Sequence, residues 1–303
     1  MKILISGSSG LVGSAVTAAF IADGHEVTRL VRREPNTAAC IAEQFWDPSQ
    51  DSLNSKILEQ IDAAIHLGGV PIAGSRWSRK RKLLIRDSRI RSTRLLSQTL
   101  ATIQTPPKIF LVASGIGFYG NRGDEILTEN SPAGEGFLAD TARHWEGAAD
   151  AARDAGIRVV HARFGLIMSR DGGLLSKMKI PFKAGLGVTL GDGKQWWPWI
   201  SLEDVINAIR HIIDRKELYG PVNVTARNPV RNKEFTKSLS SVLARPAWFN
   251  IPAPLFKLLF GEMGIETMLS SQRVYPEKLT TSGFNWSSNS LKLTMRQELT
   301  KKL

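Results

Sequence analysis

The chain has 303 residues, of which 42% are hydrophobic, and it carries a formal net charge of +12. This length can bury a sizeable core in one large domain or two joined lobes, and no stretch approaches the roughly 20 apolar residues of a membrane span. Cys40 is the only cysteine, which excludes an intrachain disulfide and a cysteine-based metal cluster and predicts a reducing, cytoplasmic location.

The first 165 residues alternate between short apolar runs and helical stretches. Residues 2–6 form a predicted strand, residues 10–23 a helix that ends at Gly24, and residues 26–31 a second strand. Three further buried strands are predicted at residues 62–67, 109–114 and 158–163. This alternation predicts an α/β fold with a Rossmann-type doubly wound parallel sheet, covered by helices on both faces and built from residues 1–165.

The pattern changes after residue 165. Residues 172–193 contain six glycines and predict long loops, whereas the capping box Ser201–Asp204 opens a helix through about residue 213. A short strand at residues 222–225 is followed by helices at 232–243 and from 255 onward. We therefore expect residues 166–303 to form a smaller C-terminal α/β lobe over a ligand cleft, with segments near 201–225 returning to the first lobe.

A glycine-rich motif, Gly7-Ser8-Ser9-Gly10-Leu11-Val12-Gly13, lies between the first strand and the first helix. Its glycines suit a tight turn, a close approach of backbone amides to a pyrophosphate, and close packing of the helix on the strand. The helix N-terminus then faces the phosphates with unsatisfied N–H groups and its positive dipole end. We predict a dinucleotide site whose contacts are Gly7, Ser9, Gly10, Leu11, Val12 and Gly13; a glycine turn without ligand is the alternative.

The motif and its spacing resemble the extended short-chain dehydrogenase/reductases, the epimerase/dehydratase group. Asp62 to Gly69 resembles the fourth-strand motif of that group, and Phe118-Tyr119-Gly120 the segment after its fifth strand. A narrower resemblance, to an "epimerase family protein" subgroup with a C-terminal domain of unknown function, covers nearly the whole chain. It is carried by Pro71–Ala73, Arg76-Trp77, Ser88-Arg89, Trp145-Glu146, Gly185–Gly187, Gly191–Gln195, Trp199-Ile200, Arg245-Pro246, Gly261-Glu262 and Gly283-Phe284.

The residues after the second strand favour NADP(H) over NAD(H). NAD enzymes usually place an acid there to hold the ribose hydroxyls, whereas here Val31 is followed by Arg32 and Arg33. Guanidinium groups suit a 2′-phosphate because they form charge-assisted and bidentate bonds. Two solvated surface arginines are the alternative, and Glu34 could reach the ribose if the strand ends later.

The resemblance implies further cofactor contacts. Leu67 and Gly68 would line the adenosine side with backbone, and Ile167 and Arg89 would approach the cofactor. Arg89 belongs to a strongly basic predicted helix between Arg76 and Arg94, in which Leu83, Leu84, Ile90 and Leu95 suggest one apolar face. Most of its charges are expected on the solvated face.

The acid–base pair that this superfamily uses is missing. Reductases and epimerases of the group carry Tyr-x-x-x-Lys on the helix after the fifth strand, where the Lys lowers the Tyr pKa. Aligned on Glu146, the Tyr falls at Leu138, the Lys at Ala142 and the usual Ser at Gly115. Substitute candidates are Ser114, Tyr119, Arg143 and His144, and we assign none of them a catalytic role.

The expected rim of a substrate pocket is residues 191–199. Trp196, Trp197 and Trp199 could stack on a planar or sugar-like ligand and Gln195 could supply hydrogen bonds; packing between lobes is the alternative. Ser114 and Tyr119 complete the candidate pocket. No His/Asp/Glu cluster has metal-ligand spacing, so no metal is predicted.

Two functions remain open at this point. One is an NADP(H)-dependent oxidoreductase or epimerase of an unknown small-molecule substrate. The other is a non-catalytic NADP(H)-binding regulator. Some relatives in the subgroup that the chain resembles carry a cell-division or plastid-division label, so the resemblance includes a link to cell division. We do not expect nucleic-acid binding, because the basic residues are spread along the chain without a recognition motif. We expect no membrane partner, and we leave a homodimer open.

Overall fold

The computed structural model of the chain describes residues 1–300. Its strands are β1 (Lys2–Ser6), β2 (Glu26–Val31), β3 (Ala42–Asp47), β4 (Ser52–Leu53), β5 (Ala63–His66), β6 (Ile109–Gly115), β7 (Ile126–Leu127), β8 (Arg158–Phe164), β9 (Leu166–Met168), β10 (Val188–Leu190), β11 (Trp196–Trp197), β12 (Trp199–Ser201), β13 (Gly220–Val224), β14 (Val230–Arg231), β15 (Phe249–Ile251) and β16 (Arg273–Val274). Its α-helices are α1 (Leu11–Ala22), α2 (Arg79–Thr102), α3 (Phe137–Gly147), α4 (Asp150–Asp154), α5 (Gly173–Lys183), α6 (Leu202–Asp214), α7 (Asn232–Leu243), α8 (Ala253–Gly264), α9 (Glu277–Thr281) and α10 (Leu291–Thr300).

One eight-stranded sheet organises the molecule, in the order β13-β8-β6-β5-β1-β2-β3-β4. All neighbouring strands are parallel except β3 and β4. The chain runs outward from β1 through β2 and β3, then returns to the other side of β1 with β5. The strand order therefore reverses between β1 and β5, and a ligand crevice is expected outside the carboxyl ends of these two strands.

Helices cover both faces of this sheet. Alternate residues of β1 point to opposite faces, so Ile3 and Ile5 pack in a core with α1 and α6, and Leu4 packs in a second core with α2 and α3. The predicted α/β, doubly wound Rossmann-type fold is confirmed. Within residues 201–225, α6 packs on α1 and β13 pairs with β8.

A third core lies in the C-terminal part of the chain. It is built from β9 to β12 and from helices α5, α7, α8 and α10, with Trp197, Phe235 and Phe256 among its buried aromatic residues. The strands here pair only two by two: β9 with β12, β10 with β15, and β11 with β14. No helix within residues 1–300 has both the length and the apolar character needed to cross a membrane.

One predicted element was wrong, and a second, the basic helix, begins later than predicted. Residues 172–193 are not long loops, because they contain α5 and β10. Leu175 and Phe182 stand seven residues apart, two helical turns on one face, and both are buried, so packing outweighs the flanking glycines and Pro181 in the last turn. The basic helix begins at Arg79 rather than Arg76, and Leu83 and Leu84 are exposed.

Candidate functional site

The predicted dinucleotide motif forms a tight turn at the carboxyl end of β1. Gly7 has a φ of +72°, a conformation that favours glycine, and its carbonyl accepts a hydrogen bond from the Gly10 amide at 3.1 Å. A Cβ at Gly7 would lie 2.6 Å from the carbonyl carbon of Leu67, which follows β5. A Cβ at Gly13 would lie 2.1 Å from the Gly7 carbonyl oxygen. Only glycine fits at either position, so the turn seats α1 directly over β1 and β5.

The first turn of α1 is suited to an anion. Gly10 is the N-cap, it offers no side-chain cap, and no acidic residue lies in the first turn. The amides of this turn are therefore not occupied by a carboxylate of their own helix, and the positive end of the helix dipole points into the crevice. These features fit the pyrophosphate of a dinucleotide, and its contacts with Gly7, Ser9, Gly10, Leu11, Val12 and Gly13 stay a prediction.

Arg32 and Arg33 follow β2 at the same edge of the sheet, and both are exposed. Arg33 donates to Glu43 Oε1 at 2.7 Å and to the carbonyl of Glu34. Glu43 on β3 also accepts from Arg29 and, at 2.9 Å, from the Asn36 amide. The hydrogen bond from Arg33 is the main cause that lowers the Glu43 pKa to about 2. The second strand ends at Val31 as predicted, and Glu43 holds Arg33 beside Arg32.

The end of β5 brings Leu67 and Gly68 against the turn. His66 beneath them is fully buried between the hydroxyls of Ser6 and Ser92, and burial lowers its pKa to about 3. Arg89 is also buried: its guanidinium donates to the Ile85 and Val70 carbonyls. Arg89 therefore fixes the loop after Gly69 with its side chain turned inward.

Ile167 comes close to the turn from the other side. A Cβ at Gly173 would lie 3.1 Å from the Ile167 carbonyl oxygen, and one at Gly172 would lie 3.2 Å from the Leu11 side chain. The start of α5 thus lies against Leu11 at the first turn of α1. Of the predicted cofactor contacts, Leu67 and Gly68 thus lie against Gly7, and Leu11 and Ile167 lie against the start of α5.

A buried polar network lies at the carboxyl ends of β6 and β8. Glu146 on α3 accepts from the Ser114 hydroxyl at 2.7 Å and from two nitrogens of Arg163, each at 2.8 Å. Arg163 also donates to the Tyr119 hydroxyl at 3.0 Å, which in turn donates to Asn223 at 2.7 Å. Burial raises the Tyr119 pKa to about 12, so the phenol stays protonated. Ser114 and Tyr119 are thus committed to partners inside the protein.

The helix that carries the acid–base pair in the resembling group carries none here. Leu138 and Ala142 lie on α3 as predicted, and a Cβ at Gly117 would lie 3.1 Å from the Leu138 Cβ. Arg143 and His144 face outward and bond to Asp140. Leu138 and Ala142 carry no ionisable group, so α3 offers no acid–base pair at these two positions.

The predicted pocket rim at residues 191–199 needs correction. Trp197 and Trp199 are both buried in the third core, and their indole N–H groups donate to the carbonyls of Met268 and Asn228. Gln195 is buried as well and donates to the Leu190 and Met268 carbonyls. We therefore assign these three residues to packing, because their polar atoms already have protein partners.

Two features of the site were not predicted. Glu266, just beyond α8, accepts hydrogen bonds from the Phe137 amide at 2.8 Å and the Leu138 amide at 2.7 Å, and so caps the N-terminus of α3. A cavity of about 410 Å³ opens beside this cap, lined by Trp77, Arg79, Lys82, Leu83, Arg86, Phe137 and Glu262. In both features, residues of α8 or just after it lie against residues of the first lobe. Spacing within the sequence does not reveal such contacts between distant segments.

Comparison with known proteins gives end-to-end matches. The model of the NAD dependent epimerase/dehydratase family matches residues 3–225, and that of a domain of unknown function (DUF1731) matches residues 251–298. Epimerase family protein Mb2239 of Mycobacterium bovis is 41% identical over 289 residues, which cover 95% of this chain and 94% of that protein. Epimerase family protein YfhF of Bacillus subtilis is 35% identical over 298 residues, covering 98% and 97%.

A solved structure shares nearly the whole architecture. Human epimerase family protein SDR39U1 (isoform2), crystallised with NADPH, has a TM-score of 0.90 at 28% identity, covering 99% of this chain and 100% of that one.

Proposed function

The chain belongs to the NAD-dependent epimerase/dehydratase family, and from this premise we propose that it binds NADP(H) and acts as an oxidoreductase or epimerase on a small molecule. The observation that carries the proposal is the glycine turn, in which Gly7 and Gly13 leave no room for a Cβ and α1 presents its first amides to the crevice. The human relative crystallised with NADPH supports the same cofactor.

In this proposal, a separate set of residues would hold each part of the cofactor. The backbone of residues 7–13 would hold the pyrophosphate, Arg32 and Arg33 the 2′-phosphate, and Leu67 and Gly68 the adenosine side. Ile167 would also contact the cofactor, and Arg89 would act by holding the loop after Gly69. When bound, the nicotinamide supplies hydride exchange with a substrate.

A second candidate is a non-catalytic NADP(H)-binding regulator, including one linked to cell division. It is favoured by Leu138 and Ala142 at the acid–base positions and by Ser114, whose hydroxyl is held by Glu146. General acid–base catalysis contributes about 10²–10⁴-fold, so its loss slows hydride transfer without abolishing it. A metabolite screen that follows NADPH fluorescence separates the two: turnover of any metabolite supports the enzyme, and none across the screen favours the regulator.

Calorimetric titration with NADPH and, separately, NADH tests the cofactor assignment. We expect tighter NADPH binding, and the double variant Arg32→Ala, Arg33→Ala should lose about tenfold or more in NADPH affinity, since charge-assisted hydrogen bonds contribute roughly 1.5–3 kcal/mol each. Arg91→Ala, an exposed arginine on α2, is the matched control. Equal affinities for the two cofactors would overturn the role of the arginine pair, and binding of neither would overturn the dinucleotide site.

A further inference from the structure

The C-terminal part of the chain carries an unusually exposed apolar surface. In residues 252–260, which include the first two turns of α8, only Phe256 is buried. Leu255, Leu258 and Leu259, spaced along one helix face, are all exposed, with Leu258 at 70%. A surface helix normally turns its apolar stripe to the core, so α8 presents to solvent a face that needs a partner.

Neighbouring segments extend this surface. Trp248 is 86% exposed, and Phe249 on β15 and Leu186 before β10 are also exposed. β10 pairs in parallel with β15, a Cβ at Gly187 would lie 2.9 Å from the Ala247 Cβ, and Arg245 donates to the Lys183 carbonyl. These contacts hold the end of α5, with Ile180 at 75% exposure, beside the segment that leads into α8. We call Ile180, Leu186, Trp248, Phe249, Leu255, Leu258 and Leu259 the α5–α8 surface.

The charged residues within the two sequence stretches that carry the α5–α8 surface all have one sign. Residues 172–191 contain Lys177, Lys179 and Lys183, and residues 235–261 contain Lys237, Arg245 and Lys257; neither stretch contains an Asp or Glu. The acids that bound them in sequence are Asp171, Asp192, Glu234 and Glu262, the last paired with Lys82 at 2.7 Å. The partner of this surface should therefore be apolar in its interior and negative at its boundary.

We propose that the α5–α8 surface docks on an anionic lipid bilayer. Exposed Trp, Phe and Leu can enter the headgroup boundary, while flanking lysines extend their charged ends to the lipid phosphates. At 12 residues α8 is shorter than the roughly 20 residues of a spanning helix, so it lies in the interface. The expectation of no membrane partner rested on the absence of a spanning segment, and surface docking does not require one.

Vesicle co-sedimentation of the full chain tests this proposal. We expect binding to mixed phosphatidylglycerol–phosphatidylcholine vesicles that weakens with salt, and little binding to phosphatidylcholine alone. Leu258→Glu and Phe249→Glu should each lower the partition coefficient about tenfold, because a carboxylate resists entry into the acyl boundary. The matched control is Ile126→Glu on β7, which is 57% exposed against 59% for Phe249 and lies outside the surface.

The contribution of charge is tested separately with the double variant Lys183→Gln, Lys257→Gln, which should weaken partition into anionic vesicles roughly 20-fold. The control is the double variant Lys56→Gln, Lys108→Gln, which removes two exposed lysines elsewhere and should not weaken it. Every variant should bind NADPH with unchanged affinity. This second measurement therefore distinguishes a loss of vesicle binding from a loss of the cofactor site. Absence of binding to anionic vesicles, equal binding to neutral ones, or equal loss in Ile126→Glu would overturn the proposal. A dimer that Leu258→Glu dissociates, without vesicle binding in the parent chain, would assign the surface to a second copy instead.

Discussion

A Cβ on Gly13 would lie 2.1 Å from the carbonyl oxygen of Gly7. The first turn of α1 can sit on the end of β1 only because Gly13 has no side chain. The close approach of Gly13 to Gly7 determines where the first amides of α1 point. A side chain at residue 13 would therefore be expected to lower the affinity for a dinucleotide.

We expect Gly13→Ala to abolish measurable NADPH binding, because α1 must move away from the turn to relieve the clash. Gly24→Ala is the control: Gly24 also has a positive φ, +80°, but no heavy atom lies within 4 Å of its Cβ position. It should lower the free energy of unfolding by about 1–2 kcal/mol and leave NADPH affinity unchanged. Equal affinity in Gly13→Ala and the parent chain, measured by calorimetry, would contradict the assigned geometry.

Acid should remove the stabilisation that Glu43 provides. Its pKa is lowered from 4.5 to about 2, chiefly by the hydrogen bond from Arg33 and then by that from the Asn36 amide. A carboxyl whose folded-state pKa is depressed stabilises the protein fully above its unfolded value, and loses this as pH falls through the folded one. The difference in unfolding free energy between the parent chain and Glu43→Gln should therefore be constant near neutral pH and shrink below about pH 4.5. Urea unfolding at several pH values measures it, and a difference that grows in acid would refute the pairing.

Glu146→Ala should be strongly destabilising. The variant leaves the guanidinium of Arg163, whose side chain is 3% exposed, without its carboxylate, and removing one partner of a buried pair typically costs about 3–5 kcal/mol. Asp23→Ala is the control, since Asp23 also accepts two hydrogen bonds from one arginine, Arg210, but at the surface. Its effect on the unfolding free energy should be about 0–1 kcal/mol. Similar losses in both variants would mean that Glu146 and Arg163 are more solvated than the structure shows.

His66 should remain neutral throughout the range in which most histidines titrate. Burial, and then the charge of Arg89, lowers its pKa from 6.5 to about 3. The unfolded chain binds a proton at this histidine between these two values and the folded chain does not, so its contribution to stability declines as pH falls from 6.5 toward 3. An NMR titration should show no inflection for the His66 ring near its ordinary pKa. An inflection there would indicate that Ser6 and Ser92 do not enclose the ring.

Local signals predicted the parts of the site that depend on neighbours in sequence. The turn at Gly7, the end of β2 before Arg32, and the helix start at Ser201, whose hydroxyl accepts from the Asp204 amide at 2.9 Å, are all such cases. Each depends on φ angles, caps or periodicity within a few residues.

The features that the sequence did not predict depend on contacts between residues that are far apart in the chain. Asp204 was expected to complete the cap of its own helix, but its carboxylate accepts from the Ser287 amide at 2.7 Å, 83 residues away. Trp197 and Trp199 suggested a ligand-stacking rim because tryptophan is frequent in pockets. Both indoles are instead buried in the core, where their N–H groups donate to the carbonyls of Met268 and Asn228. Such contacts depend on how distant segments meet, which spacing in sequence does not encode.

The cap that Glu266 places on α3 ties together two segments that different family models describe. Phe137 and Leu138 donate their amides to this carboxylate across 129 and 128 residues of chain. A natural or laboratory recombinant that exchanged residues 251–298 for a segment without an acid at this position would leave the first amides of α3 without this acceptor. Exchanging one segment without the other would therefore remove this cap, even though each segment is recognised separately.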